Sequence, residues 1–284
     1  MRFEKWQALG NDYLIVERDQ LPVPLSAPVV RRLCDPHLGI GADGVLEISP
    51  PDEAGFVARL RIFNPDGSEA ELSGNGSREA ILYLHRRGWT TAAQFSIQTN
   101  AGEIRPTITS PTTCTVDMGR ARTASEHVPG GPPDGRGTVD AGGRTWSFQH
   151  VTIGNPQCAI EVESVDELND LHLEDFGPAI EHDPQFPNRT NVSWWTETEP
   201  GFIRARIFER GVGVTMSSGT GACGAAVAYV LRGGDSPVRV ALDGGELEVT
   251  VEEDLHVDLG GWAVPVYAGV ASDELLQTLR GLAR

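Results

Sequence analysis

The chain repeats itself. Arg61-Ile62-Phe63 returns 145 residues later as Arg206-Ile207-Phe208, and at the same offset Ser73-Gly74-Asn75-Gly76 returns as Ser218-Gly219-Thr220-Gly221. Ala80 meets Ala225 in that register, and Gly10-Asn11 recurs as Gly154-Asn155 at an offset of 144. One short match is weak, but several in nearly constant register predict a duplicated, two-domain architecture, for which 284 residues suffice. Each half should carry a strand, a polar loop and a Ser-Gly-x-Gly turn opening an apolar helix.

Between Gly and Pro punctuation, the β-branched and aromatic runs Tyr13 to Glu17, Val57 to Phe63, Thr145 to Ile153, Ile203 to Phe208 and Leu247 to Val251 read as strands. Apolar spacings of three and four predict helices over Ala27 to Cys34, Ser77 to Arg87, Ala222 to Leu231 and Asp273 to Leu282. The chain is therefore mixed α/β. The Gly- and Pro-rich stretch Ser125 to Gly137 reads as a linker or a mobile surface loop, with a domain boundary just before it near Gly119.

Charge and composition narrow the chemistry. A net charge of −17 with no Lys/Arg run repels phosphate backbones and anionic lipid, so neither nucleic acid nor membrane is expected as a partner. No basic segment leads into an apolar stretch at the N-terminus, and no run of eighteen apolar residues occurs, which predicts a cytoplasmic protein. Cys34, Cys114, Cys158 and Cys223 form no CxxC pair, so reduced thiols and no metal site are expected. Lys5 is the only lysine and sits in a strand-like segment, a poor place for a pyridoxal phosphate Schiff base. The GxxxxGK[ST] and GxGxxG phosphate motifs are absent as well. The chemistry expected is cofactor-free.

A Ser-Gly-x-Gly turn at a helix start leaves several backbone N–H groups without intrahelical partners at the positive end of the helix dipole, and so favours an anion. Two such turns could grip one carboxylate, with Ser73 and Ser218 flanking the carbon that bears it. That layout suits inversion, in which one group removes an α-proton and its counterpart returns one to the other face. The alternative is that both serines are plain N-caps. In the neighbouring loops, Arg210 could hold a second carboxylate with its planar fork, while Glu209 with Asn64 and Asn191 could hold an ammonium. The alternative there is a surface turn of solvated charges.

Six segments carry a specific resemblance: GNDYLIVE (Gly10 to Glu17), GIGADGVLEI (Gly39 to Ile48), RIFNPDGSEAELSGNGSR (Arg61 to Arg78), IGNPQCAI (Ile153 to Ile160), NRTNV (Asn188 to Val192) and ERGVGVTMSSGTGACGAAVA (Glu209 to Ala228). In order and spacing the chain resembles the diaminopimelate epimerase family over almost its whole length. The resemblance implies two pseudo-symmetric α/β lobes, 1–118 with 264–284 and 119–263, each a curved, mostly antiparallel sheet around a central helix, with the active site in the cleft between them. It also implies a homodimer and a cofactor-free conversion of LL-diaminopimelate to the meso form in lysine and peptidoglycan synthesis. Substrate binding falls to Asn11, Asn64, Asn155, Asn191, Glu209 and Arg210, and the carboxylate cradle to Gly74, Asn75, Gly219 and Thr220.

Four positions depart from the family pattern. Where the family has its two catalytic cysteines, this chain has Ser73 and Ser218; the His after Asn-Pro is Gln157, and the Glu of the Glu-Arg-Gly-Val-Gly-Glu run is Val214. A thiol can be tuned to a thiolate near neutrality, whereas an alkanol needs a neighbouring base. Asp66, Glu69, Glu209 and His150 are the candidates for that base. The reading is an amino-acid epimerase with serines at both proton-transfer positions; the alternative is a binding protein, or another isomerase, that keeps the cradle and has lost or changed the thiol chemistry. Cys158 and Cys223 are expected in the core.

Overall fold

The computed structural model describes residues 1–70 and 73–283; Glu71 and Leu72 of the polar loop, and Arg284, lie outside the described residues. Contacts divide the chain into one compact unit of Met1–Val116 with Trp262–Arg284 and a second of Asp117–Gly261.

The first unit runs β1 (Arg2–Ala8), β2 (Asn11–Glu17), α1 (Ala27–Cys34), β3 (Val45–Ser49), β4 (Ala58–Phe63), β5 (Glu69–Ala70), α2 (Gly74–Arg86), β6 (Ile97–Thr99), β7 (Gly102–Ile104), β8 (Pro106–Ser110) and β9 (Thr113–Arg120), within which the chain enters the second unit. That unit holds β10 (Arg136–Ala141), β11 (Arg144–Thr152), β12 (Pro156–Glu161), α3 (Val165–Asp170), α4 (Leu173–Glu181), β13 (Asn191–Glu199), β14 (Phe202–Glu209), β15 (Gly213–Thr215), α5 (Gly219–Val230), β16 (Val238–Leu242), β17 (Gly245–Val251) and β18 (His256–Trp262). The chain then returns to the first unit through β19 (Val264–Val270) and α6 (Asp273–Leu282).

Both units are built on one plan. The first sheet runs β19-β1-β2-β3-β4-β6-β7 and the second begins β10-β11-β12-β13-β14-β16-β17-β18 and continues to β9 and β8, with β5 and β15 paired to β4 and β14. Each is antiparallel except at two places, β2 with β3 and β4 with β6 in the first, β12 with β13 and β14 with β16 in the second. The register repeats with the topology. Leu14 faces Val45 as Cys158 faces Val192, Ile62 faces Ala70 as Ile207 faces Thr215, and Ala58 faces Ile97 as Ile203 faces Val240. The repeat read from a few tripeptides is thus a repeat of whole sheets, mostly antiparallel as expected.

Alternation along the strands sends side chains to two different helix layers. In β2, Leu14 and Val16 join a core with Val29, Val30 and Leu33 of α1 and Leu279 of α6. The opposite face carries Tyr13 and Ile15. In the second unit Val192, Trp194 and Phe208 pack with Leu173 and Ile180 of α4, while Ser193 donates a 3.5 Å hydrogen bond to the Gly221 carbonyl of α5. Helix α5 is almost wholly small and apolar and is buried from Gly219 to Tyr229 apart from Thr220, as a helix apolar on all sides must be.

Both central helices start earlier than the apolar spacing predicted, at Gly74 and Gly219 instead of Ser77 and Ala222. The Ser-Gly-x-Gly segment is the helix's own first turn. Helices α3 and α4 were not foreseen; Gly177 and Pro178 inside α4 mask its period. The stretch Ser125 to Gly137 is a loop of the second unit as far as Arg136, where β10 begins, with Val128 packed on its core and Thr123 Oγ1 donating to the Pro133 carbonyl at 2.8 Å. All four cysteines are free and buried. No described helix is long and apolar enough to cross a membrane.

Candidate active site

Each serine caps its helix. Ser73 stands in extended backbone at φ −135°, ψ 122° and its Oγ accepts from Gly76 N at 3.1 Å; Ser218 stands at φ −141°, ψ 121° and its Oγ accepts from Gly221 N at 3.2 Å. Both serines are therefore N-caps, and the first turns of α2 and α5 that they open lie at a helix positive end. Both glycines are close-packed: a Cβ at Gly221 would sit 2.8 Å from Ile207 Cδ1 and one at Gly76 would sit 3.1 Å from Leu46 Cδ2.

In the first unit, Asn75 Nδ2 donates to Asn11 Oδ1 at 3.4 Å, and Asn11 Nδ2 donates to Asp43 Oδ2 at 3.0 Å. Arg78, fully buried one turn into α2, donates to the Gly74 carbonyl at 3.1 Å and to Asn75 Oδ1. Asn11 and Asn75 are thus oriented by Asp43 and Arg78, neither of which the sequence reading singled out. Asn64 sits in the tight loop beyond β4, where its Nδ2 donates to Ser68 Oγ at 2.9 Å.

The second unit repeats the arrangement with other side chains. Asn155 Nδ2 donates to Thr220 Oγ1 at 3.2 Å, and Gln157 Nε2 donates to Asn155 Oδ1 at 2.6 Å. Gln157 fits because Gly224 has no side chain, since a Cβ there would lie 2.8 Å from Gln157 Cβ. Asn191 is committed to backbone: its Nδ2 donates to the Pro156 carbonyl at 3.0 Å and its Oδ1 accepts from Arg210 N at 2.9 Å. Arg210 Nη1 donates to the Asn188 carbonyl at 2.8 Å. Buried Glu181 accepts from Gly211 N at 2.9 Å and from Arg189 Nη1 at 3.1 Å, holding the loop that carries Glu209 and Arg210.

The four candidate bases separate cleanly. Ser218 Oγ donates to Glu209 Oε2 at 3.1 Å. Burial pushes the Glu209 carboxyl above the usual carboxylate range, with the Thr215 and Ser218 hydroxyls pulling it back. Asp66 is capped by Ser68 N and Oγ at 2.8 and 2.7 Å, and those bonds hold it below its usual range. Glu69 is forked to Arg61 at 2.8 and 2.7 Å and bonded to Asn100 at 2.7 Å. His150 has both ring nitrogens engaged, with Ser125 Oγ at 2.9 Å and the Gln157 carbonyl at 3.2 Å, and burial pushes the imidazole down to about 4. Only Glu209 is on a serine. Burial drives the Cys158 thiol well up, and Cys223 is buried in α5, as expected of core residues. Val214 is the middle residue of β15, 37% exposed.

Among the described residues one group of metal-ligating type occurs, Asp117, His256 and Asp258. It belongs to β9 and β18, away in sequence from every residue above.

Comparison with known proteins now bears on this geometry. The family model described as Diaminopimelate epimerase matches residues 3–124 and 149–265. The chain is similar to Diaminopimelate epimerase of Synechococcus sp. (strain JA-3-3Ab), 39% identical over 96% of this chain and 99% of the relative, and to that of Desulforudis audaxviator (strain MP104C), 40% identical over 97% of each. In fold it is similar to the crystal structure of a probable proline racemase from agrobacterium radiobacter K84, with a TM-score of 0.69 at 13% identity, covering 96% of this chain and 93% of that one. A repeated sheet plan, paired serine-capped helix tips and full-length similarity agree, and the chain belongs to the diaminopimelate epimerase family.

Proposed function

We propose that this chain catalyses its family's reaction, inversion at the α-carbon of LL-diaminopimelate to give the meso form, with Ser73 and Ser218 as the proton-transfer groups. The hydrogen bond from Ser218 to buried Glu209 carries the reading. A serine hydroxyl alone is far too weak an acid to exist as an alkoxide near neutrality, but a carboxylate beside it can take its proton in the same step that the oxygen takes one from carbon. Raised by burial, Glu209 is a stronger base than a solvated carboxylate. The α-proton moves to Ser218 Oγ as the hydroxyl proton moves to Glu209 Oε2, and Ser73 returns a proton to the opposite face.

Binding follows from the same parts. The helix starts at Gly74-Asn75 and Gly219-Thr220 suit a carboxylate, Asn11 and Asn155 line the approach to them, and Arg210 suits a distal carboxylate. With Asn64 and Asn191 committed to their own loops, they are assigned to shaping the site. No organic cofactor or metal enters the scheme. We also assign a homodimer, supported by Val266, Tyr267 and Val270 standing exposed on the edge strand β19. Cytoplasmic location is supported by the reduced, buried thiols.

Incubation with LL-diaminopimelate in deuterated water tests the function. Stereospecific deuterium at the α-carbon, with meso product, is the expected result; measurable binding without exchange would leave the alternative, a binding protein that has lost turnover.

A further inference from the structure

Among the described residues Glu209 answers the weakness of a hydroxyl in one half, and the position equivalent to it in the other half is Asn64, which cannot take a proton. What stands behind Ser73 is a phenol. Tyr13, buried on β2 on the face turned to α2, donates its O–H to Ser73 Oγ at 3.2 Å. The ring is seated over Gly44, where a Cβ would lie 2.4 Å from Tyr13 Cε1. The corresponding residue of the second half is Gln157, bonded to Asn155. The phenol is peculiar to one half.

Its placement fixes the direction in which Ser73 can work. A hydroxyl has one proton and two lone pairs. Ser73 Oγ accepts from both Tyr13 O–H and Gly76 N–H, so its own proton is what it has left to offer. Ser218 is the reverse, for it gives its proton to Glu209 and accepts from Gly221 N, leaving a lone pair for an incoming proton. The two capped helices are thus opposite in polarity, Ser218 set to accept and Ser73 to donate.

We propose, building on the epimerase reading above, that Tyr13 is a positioning residue that makes Ser73 a competent acid by passing it a proton. As the new C–H bond forms at the α-carbon from Ser73's proton, the Ser73 O–H bond re-forms with the proton of Tyr13, and the charge rests on the phenolate. Solvent returns that proton between turnovers. A phenol titrates near 10 and a thiol near 8.5, whereas serine lies far above both. The phenolate left on Tyr13 is therefore a far better resting place for the charge than a serine alkoxide.

The experiment is a cycle of Tyr13→Phe and Ser73→Cys, followed by diaminopimelate epimerisation. Tyr13→Phe removes one oxygen and keeps the ring over Gly44. On the Ser73 background it is expected to lower kcat by about ten-fold or more while KM changes by less than about two-fold; on Ser73→Cys it should cost less than about three-fold, because a thiol needs no relay. Equal losses on both backgrounds, or none on Ser73, overturn the relay and leave the epimerase reading standing. Absence of α-proton exchange in the unsubstituted protein overturns that reading and the relay together.

Discussion

Helices α2 and α5 begin on the same cap, with nearly the same backbone angles and hydrogen bonds of 3.1 and 3.2 Å from the third residue on, but they are dressed differently behind it. In α5 the residues five and six past the serine are Cys223 and Gly224; in α2 they are Arg78 and Glu79, both fully buried. Arg78 reaches back to Gly74 and Asn75, so the first helix braces its tip with a charge where the second lies on tight packing of Ile207 and Gly221. Behind the serines stand a phenol in one half and a carboxylate in the other. A duplicated backbone can place two equivalent oxygens, but inversion needs inequivalent protonation states, and in the proposed mechanism these differences supply them.

The contrast is sharpest at Glu209. Its carboxylate must be ionised to accept the Ser218 proton, and burial raises its pKa. Protonation as pH falls therefore removes the base at a higher pH than for a solvated glutamate. The acid limb of kcat should lie above the usual carboxylate range, and Glu209→Gln should abolish that limb while lowering kcat by about 100-fold or more. Wild-type kcat in the variant, read across a pH series, would make the two halves chemically alike.

Glu79 offers a test on stability instead of turnover. Burial drives its carboxyl well above the usual range, against the pull of Arg78. A folded-state pKa above the unfolded one means that the folded state holds the extra proton. Stability is thus fully present below the unfolded value and falls as pH rises through the folded one, by up to about 1.4 kcal/mol per pH unit. Glu79→Gln should flatten that slope in urea unfolding followed from pH 4 upward. An unchanged slope would place the pH dependence elsewhere, since α5 has no ionisable group at the equivalent position.

The smallest effect concerns the glycine one turn into each tip. A Cβ at Gly221 would press to 2.8 Å on Ile207, whereas one at Gly76 would meet the flexible end of Leu46 at 3.1 Å. Gly221→Ala should destabilise by about 1–2 kcal/mol, and Gly76→Ala should be close to neutral because the gain in helix propensity, up to about 1 kcal/mol, offsets the crowding. Equal costs in denaturant titrations would show that the two tips are packed alike.

Much of this was legible beforehand where the signal is local. The serine caps, the strands β2, β4, β11, β14 and β17 and the offset that pairs Asn11 with Asn155 are written in short motifs. Helix α4 was not, because Gly177 and Pro178 break its period. The starts of α2 and α5 were placed a turn late because glycines carry no apolar signal, although a serine before them is a cap signature. The four candidate bases stood level in the sequence, and only the structure shows that ion pairs and turn bonds consume Asp66 and Glu69. Tyr13 escaped notice since it lies 60 residues from Ser73 and nothing in GNDYLIVE separates a phenol aimed at a site from a core aromatic.

The sequence by itself determined the duplication, the family and the two hydroxyls at the helix starts, since register, motif spacing and residue type are properties of one dimension. Tertiary structure alone decided what each hydroxyl faces. Tyr13 reaches Ser73, and Glu209 reaches Ser218, only because strand pleating turns particular side chains toward a helix that follows much later or after an intervening loop. A proton's direction depends on that three-dimensional neighbour, not on the residue that carries it.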